Sequence, residues 1–322
     1  MSTTEQATSL PSLPPPPKTR WGEKVIEFGL FCCGLLSILI TVAIAVVVLY
    51  GSFEFFFFDN GTAMNLSDIG ERVKEFFTGT EWTPGFSPPR YGILPLLIGT
   101  LMVAVIAALI AVPIGLLTAI YLSEYARPKV RKYAKPVLEL LAGIPTVVYG
   151  FLAVTFITPM LVGVIPNLGN PFNQISGGIV VGIMIIPMVA SLSEDALRAV
   201  PRSLRDGAYA LGANKMETSL KVVVPAALSG ITASFLLAVS RAIGETMAVS
   251  LACGEQAKFT FFPTEGLMTM TSFIVHTAKG DVQHGTTEFN SMFAVAGLLF
   301  FLTLGMNFAA QRVLKRYRQV YQ

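Results

Sequence analysis

The chain has 322 residues, of which 53% are hydrophobic and only 13% are charged, and its formal net charge is +3. Soluble globular domains carry about 25% charged residues, so this chain lacks the polar groups needed to cover a water-exposed surface. The composition excludes a soluble enzyme, a disordered protein and a fibrous repeat. It predicts an all-α membrane protein, because helices satisfy their own backbone groups within lipid.

Six apolar stretches are long enough, or nearly so, to cross the roughly 30 Å hydrocarbon core of a bilayer. They lie at about residues 25–51, 93–122, 137–160, 177–193, 226–251 and 291–311. Pro113, Pro145 and Pro187 fall within the second, third and fourth stretches. Proline removes a backbone donor, so these three spans are expected to be kinked or broken.

The spans divide the chain into four predicted segments. They are a flexible, proline-rich tail (1–20), the first helix with an outer loop (21–92), a core of five spans that includes a loop at 194–225 (93–312), and a basic C-terminus (313–322). Phe53 and the run from Phe55 to Phe58 lie just after the first span. We expect these rings to be anchors at the membrane interface.

The positive charges are distributed unequally between the two sides of the predicted membrane. Of the 23 Lys and Arg residues, 17 fall in the two termini and in the loops near positions 128 and 210. The positive-inside rule therefore predicts that both termini and these two loops face the cytoplasm. The remaining residues are Arg72, Lys74, Arg90, Lys258 and Lys279 in the opposite loops and Arg241 within the fifth span.

The loop between the fourth and fifth spans reads Asp206-Gly-Ala-Tyr-Ala-Leu-Gly212. This pattern predicts a short amphipathic helix, a glycine turn and a second helix that returns to the membrane. Ala208 and Leu211 are expected on one face, with Arg205 and Asp206 near the other. The small residues would allow a partner to approach the backbone closely, although a plain solvated helix would have the same pattern.

This loop resembles the EAA loop of importer permeases of the ATP-binding-cassette class. The pattern is an acidic residue, two alanines, three residues, glycine, nine residues and Ile-x-Leu-Pro. The matching positions are Asp206, Ala208, Gly212, Val222, Val224 and Pro225. Gly207 replaces the usual alanine, which lowers helix propensity but keeps the position small.

Three further stretches resemble the phosphate-specific transport permeases. They run from Gly92 to Thr100, from Ala142 to Gly150 and from Arg241 to Val249. The long first outer loop and the Glu-Thr-Met-Ala-Val continuation after position 244 resemble the PstC-type subunit more than its PstA-type partner. The resemblance extends from the first span to the C-terminus.

The resemblance implies a six-helix, type I-like permease of the bacterial inner (plasma) membrane with a cytoplasmic coupling helix. Its implied partners are a paralogous PstA-type permease, two cytoplasmic PstB-type ATPase subunits, an extracytoplasmic PstS-type phosphate-binding protein and phosphate, without nucleic acid. ATP and Mg²⁺ would bind to the ATPase subunits. This chain contains no GxxxxGK[ST] loop, so it would neither be an enzyme nor bind a cofactor. The implied ATPase-coupling residues are Arg205, Asp206, Gly207, Ala208, Leu211, Gly212 and Pro225.

Arg241 and Glu245 are opposite charges four residues apart within the fifth span. An arginine at the centre of a membrane helix costs about 2.5–3.5 kcal/mol on insertion scales, so it is expected to face the bundle interior or water. The spacing predicts that both side chains share one helix face, where they could form an ion pair or line a substrate path. The resemblance favours a path, in which we include Thr246 and Thr100.

The chemistry of this pair suits phosphate. The planar guanidinium of Arg241 matches two phosphate oxygens, and Glu245 could accept a hydrogen bond from a phosphate that still carries a proton. A permease for another oxyanion, such as molybdate or sulfate, is the alternative. A secondary transporter or channel would leave the Gly212 and Pro225 spacing unexplained, and an enzyme is disfavoured because no catalytic constellation is present in the sequence.

Overall fold

A computed structural model describes residues 21–165, 168, 170–280 and 282–317. The tail predicted for residues 1–20 and the end of the basic C-terminus after Tyr317 lie outside the described residues. The described chain is almost entirely helical, with two short hairpins. This confirms the predicted all-α membrane class.

The helices are numbered in chain order. They are α1 (Trp21–Phe57), α2 (Leu66–Thr78), α3 (Leu94–Ile120), α4 (Pro128–Ala142), α5 (Thr146–Leu152), α6 (Thr158–Val162), α7 (Gln174–Arg198), α8 (Arg202–Ala210), α9 (Lys215–Thr218), α10 (Val224–Ala226), α11 (Leu228–Ile243), α12 (Met247–Ala252), α13 (Met270–Lys279) and α14 (Thr287–Tyr317). π-Helical turns at Tyr121–Tyr125, Ala153–Ile157 and Ser219–Val223 follow α3, α5 and α9. The strands are β1 (Phe58–Asp59), β2 (Thr62–Ala63), β3 (Trp82–Thr83) and β4 (Arg90–Tyr91).

The chain divides after Val47 into two compact units. The first contains the start of α1, which is a long apolar helix. The second begins at Val48 and contains the C-terminal end of α1 and the later elements. Across the described residues, α1, α3, α7 and α14 are each long and apolar enough to cross a membrane, and there are six spans if each of two bent helix pairs counts as one.

The break expected at Pro145 in the third span is confirmed, whereas a second bend, at the start of the fifth span, was not predicted. The predicted helix at 137–160 is divided between α4 and the helical segment Thr146–Val162, and the two are bent by 83° relative to each other. Pro145 lies at the break and precedes α5, where its missing N–H and fixed φ suit the first turn of a new helix. The second bend, of 70°, separates Lys215–Ala226 from α11.

The tightest packing of the second unit is between α3 and α7. Glycines on α7 allow it, since a Cβ at Gly178 would lie 2.5 Å from the Ile106 side chain. On α3, a Cβ at Gly115 would lie 2.6 Å from Val189. Small residues at such positions are typical of membrane helix pairs. Lipid gives helices no hydrophobic reason to associate, so they depend on the van der Waals contact that close backbone approach provides.

An aromatic cap covers one end of this unit. Its core contains Phe55, Phe76, Trp82, Tyr91 and Phe273, which pack mainly edge to face. The prediction that the phenylalanine run only anchors the interface is therefore wrong for Phe55, which is fully buried. The cause is that α1 continues through this run as a helix, so successive rings point in different directions.

A tight turn and a charged cluster connect the cap to α14. Asp59 accepts hydrogen bonds from Thr287 Oγ1 (2.7 Å) and Arg72 Nη2 (3.1 Å). Arg72 also donates to the carbonyls of Phe55 and Phe58. The hydrogen bond from Thr287, followed by that from Arg72, lowers the pKa of Asp59 below its ordinary value.

We expect Asp59→Asn to make the cap less stable and to reduce its sensitivity to acid. Because the folded-state pKa is lowered, the Asp59 contribution is complete above the ordinary aspartate pKa of about 3.9 and is lost as the pH falls through the lower folded-state value. Thermal unfolding of the detergent-solubilised protein between pH 3 and 7 measures this. Glu71→Gln, at an exposed site on α2, is the control. A wild-type minus Asp59→Asn difference that stays constant over the range would contradict the prediction.

Candidate functional site

Arg241 lies in the last turn of α11 and is exposed. It lines a cavity of about 360 Å³ together with Glu139 and Ala142 of α4 and with Pro187 and Ser191 of α7. We call this the Arg241 cavity. Because a guanidinium within a membrane segment is stable only beside water, protein polar groups or an anion, its open position here indicates a polar surface within the span.

Glu245 does not share a helix face with Arg241. The helix ends at Ile243, and α12 begins at Met247. The Glu245 side chain is buried, and its Oε1 accepts a hydrogen bond from the Ala248 N–H at 3.3 Å. No ion pair joins Arg241 to Glu245 in the described part of the chain, so the predicted common face is wrong, and the reason is the interruption at Gly244.

The two threonines of the predicted path lie away from the Arg241 cavity. Thr100 is buried on α3, donates to the Leu96 carbonyl (2.8 Å) and accepts from the Met270 N–H (2.9 Å). Thr246 lies beside the helix break, and its carbonyl accepts a hydrogen bond from Ser250. Of the four predicted path residues, the structure therefore places only Arg241 in this cavity.

A buried carboxylate attaches α4 to α7, and the sequence reasoning missed it. Glu194 of α7 is 1% exposed and forms ion pairs with Arg131 and Lys135 of α4 and with Arg198, the Lys135 distance being 3.3 Å. Removing one partner from a buried ion pair costs about 3–5 kcal/mol. This cluster therefore fixes the position of α4 beside α7, although Glu194 follows Arg131 by 63 positions and Lys135 by 59 in the chain.

The loop with the predicted coupling signature forms α8, a turn and α9. At the turn, Gly212 has φ +85°, its N–H donates to the Tyr209 carbonyl, and the Ala213 N–H donates to the Ala208 carbonyl. This pair of hydrogen bonds is a Schellman motif, which ends a helix with glycine in the left-handed region. The predicted glycine turn is therefore confirmed. The next helix begins with a capping box in which Asn214 and Glu217 bond reciprocally.

The two faces of α8 differ from the prediction. Ala208 is buried against the rest of the protein, whereas Leu211 is 90% exposed. Arg205 lies on the buried side with Ala208, three residues away, while Asp206 and Gly207 are exposed. The predicted grouping is wrong because Leu211 lies at the end of the helix, where the chain turns away from the face on which Ala208 packs.

Arg205 connects three elements at this end of the molecule. Its Nη2 forms an ion pair with Glu124 Oε1 (2.8 Å) in the π-helical turn after α3. The same guanidinium donates to the carbonyls of Leu197 and Val200 at the end of α7. Both charged side chains are mostly buried. Arg205 therefore links α8 to the π-helical turn after α3 and to the end of α7.

The outward surface of the loop is open and apolar. Tyr209, Leu211, Met216 and Leu220 are exposed, and a groove lies between α8 and the chain that follows the turn. Pro225 is also exposed, next to the 70° bend. It lacks the N–H that would bond to the Lys221 carbonyl, which is consistent with the irregular π-helical backbone just before it.

Comparison with known proteins places this arrangement among transport permeases. The family model described as "Binding-protein-dependent transport system inner membrane component" matches residues 111–319. The chain is 37% identical over 235 residues to the probable ABC transporter permease protein YqgH of Bacillus subtilis, covering 71% of this chain and 76% of the relative. It is 33% identical over 260 residues to the phosphate transport system permease protein PstC of Xylella fastidiosa, covering 75% and 78%.

A solved structure shares the fold. It is the crystal structure of a bacterial ABC transporter involved in the import of the acidic polysaccharide alginate, with a TM-score of 0.62. The match covers 93% of this chain and 99% of the other at 14% identity. At this identity the likeness shows the architecture alone.

Proposed function

This chain belongs to the family of binding-protein-dependent transport system inner membrane components, and from that premise we propose that it is one permease subunit of an ATP-driven phosphate importer. It would form the translocation path with a paralogous PstA-type permease. Two PstB-type ATPase subunits would bind ATP and Mg²⁺ and hydrolyse the ATP. A PstS-type phosphate-binding protein would deliver the substrate from outside the membrane.

The open position of Arg241 is the observation that carries the proposal. The side chain is exposed within a membrane-spanning segment, and it forms no ion pair with a described residue, so a negatively charged substrate would supply its missing partner. The guanidinium fork favours oxyanions, because two N–H groups can donate to two oxygens at once. The relative of Xylella fastidiosa carries phosphate transport in its name, which supports phosphate over other oxyanions.

The test is transport by the purified complex. The chain is co-expressed with its three partner types and reconstituted in liposomes that contain ATP, and uptake of radiolabelled phosphate is measured with the binding protein outside. We expect uptake that depends on ATP and is competed by unlabelled phosphate but not by sulfate or molybdate. Competition by sulfate or molybdate instead would favour the alternative oxyanion permease. Uptake without ATP would contradict the importer.

We propose that α8 and the Gly212 turn dock onto an ATPase subunit. The exposed apolar side chains of this loop and its groove would provide the contact. Arg205 would carry the resulting movement to α3 and α7, since it is bonded to both. In this proposal Asp206, Gly207 and Leu211 face the partner, Ala208 and Arg205 hold the helix to the permease, and Pro225 maintains the bend at the base of α11.

The docking proposal requires the loop to lie in the cytoplasm, as the distribution of Lys and Arg predicts. In a background with Cys32, Cys33 and Cys253 replaced, we expect a cysteine at position 210 to be protected from a membrane-impermeant thiol reagent in intact cells. A cysteine at position 70 is expected to react. Both positions are exposed, so permeabilised cells, in which both should react, are the control. The reverse labelling in intact cells would overturn the orientation.

A further inference from the structure

Glu139 is the carboxylate that shares a cavity with Arg241. Both residues line the Arg241 cavity, one from the last turn of α4 and the other from the last turn of α11. Both are exposed, and neither side chain forms a hydrogen bond or an ion pair with another described residue. Two opposite charges are therefore exposed in one cavity within the membrane-spanning part of the chain. The two residues are 102 positions apart in the sequence.

Glu139 also lines a second cavity, which is basic. This cavity, of about 430 Å³, is bordered by Arg131, Lys132 and Lys135 on the preceding turns of α4. We call it the basic cavity. Glu139 is therefore the residue that the lining of the Arg241 cavity shares with the lining of the basic cavity.

The position of Glu139 is fixed by its surroundings. The buried ion pairs of Glu194 with Arg131 and Lys135 attach α4 to α7 one to two turns before Glu139. On its other side, the Tyr149 hydroxyl donates to the Leu141 carbonyl across the α4–α5 bend (3.0 Å). The backbone of α4 at Glu139 is therefore held beside the cavity, whereas Glu245 is buried and accepts a hydrogen bond from the backbone of α12.

We propose that Glu139 promotes release of phosphate from Arg241 toward the basic cavity. This inference rests on the proposed phosphate path. In the empty cavity, Glu139 places a negative charge on the same lining as Arg241 without forming an ion pair with it. When phosphate binds to Arg241, its negative charge is repelled by the carboxylate, so binding stays weak and the anion moves on toward the basic cavity. There Lys132 is exposed, whereas Arg131 and Lys135 are already paired with Glu194. A permease site must be weak in this way, because a tightly bound anion would not leave.

Equilibrium binding of radiolabelled inorganic phosphate to the solubilised complex, without the binding protein, tests the proposal. Glu139→Gln is expected to lower the dissociation constant about tenfold, the effect of removing one like charge several Å away at a protein surface. The rate of ATP-driven uptake in liposomes should fall in the same variant. Glu139→Asp keeps the charge and is expected to bind phosphate as the wild type does.

Asp195→Asn is the matched control. It removes the same negative charge beside Lys135 at the end of α7, but Asp195 does not line the Arg241 cavity. An unchanged dissociation constant in Glu139→Gln, or an equal change in Asp195→Asn, would overturn the role of Glu139. A wild-type complex that takes up no phosphate would instead overturn the proposed function, so the two failures are distinguishable.

Discussion

Replacing Arg241 by leucine is expected to reduce ATP-driven phosphate uptake about 10- to 100-fold while the complex assembles normally. The loss corresponds to a charge-assisted hydrogen bond of about 1.5–3 kcal/mol between the guanidinium and the anion. Assembly should persist because Arg241 is exposed and unpaired among the described residues, so no buried carboxylate loses its counter-charge. Uptake in liposomes and co-purification of the subunits measure the two effects.

Two further variants identify what Arg241 does. Arg241→Lys keeps the charge but loses the planar fork, so uptake should be intermediate. The double variant, with both Arg241 and Glu245 replaced by leucine, tests whether the two residues form an ion pair. Since Glu245 bonds to the Ala248 N–H instead, we expect the double variant to be at least as impaired as Arg241→Leu. Recovery of uptake in the double variant would mean that the pair neutralises itself and that Arg241 does not serve the substrate.

Glu245→Gln separates the two roles of the acid. Glutamine keeps a side-chain oxygen that can accept from the Ala248 N–H, so α12 should retain its first turn. If Glu245 only supports the helix break, uptake is close to wild type. The original path prediction instead requires a change in discrimination between phosphate and sulfate, measured by binding to the solubilised complex without the binding protein.

Hydropathy located the membrane spans and Pro145 predicted the break in the third one, but neither signal predicted the interruption at Gly244. Apolar residues continue through the bend at Pro145 and through the interruption at Gly244, so hydropathy is the same for a straight and a broken helix. The break at Gly244 depends on contacts from elsewhere, including the Thr271 hydroxyl that donates to the Glu245 carbonyl (2.7 Å). The common face expected of Arg241 and Glu245 failed for this reason.

Short sequence patterns predicted the turn of the coupling loop but not its contacts with distant parts of the chain. Gly212 is at the turn, as its spacing indicated, and the Asn214 to Glu217 capping box was also readable from the sequence. The pairing of Arg205 with Glu124 joins residues 81 positions apart, and no periodicity connects them. Glu139 was similarly missed, since it lay within a predicted apolar span and nothing local placed it opposite Arg241.

The hairpin at the aromatic cap was a missed local signal. Asn60 and Gly61 both have positive φ, of 45° and 83°, and form the two-residue turn between β1 and β2. Asn-Gly is the preferred sequence for such a turn. The phenylalanine run beside it favoured the interpretation as an interface anchor. Phe55 is buried against Phe76 of α2 and Tyr91 of β4, which lie 21 and 36 residues later in the chain.

Gly212→Val is expected to reduce ATP-driven uptake to about 1% of the wild-type rate or less, because the proposed docking depends on this loop. The variant should still insert into the membrane. A branched side chain at φ +85° costs at least about 1–2 kcal/mol of backbone strain. It would displace the turn that closes α8 through the Tyr209 and Ala208 carbonyls. Uptake and basal ATP hydrolysis of the co-purified complex are the measurements.

Matched variants distinguish strain in the turn from obstruction of a partner. A Cβ at Gly207 or at Gly212 meets nothing within 4 Å in this chain, so neither position is crowded by the permease itself. Gly212→Asn tolerates the left-handed conformation and should retain more activity than Gly212→Val if strain is the cause. Gly207→Ala lies within the helix and adds no strain, so any loss of uptake there reports contact with another subunit. Normal transport by Gly212→Val would contradict the coupling role, because the turn could then move without effect on the ATPase.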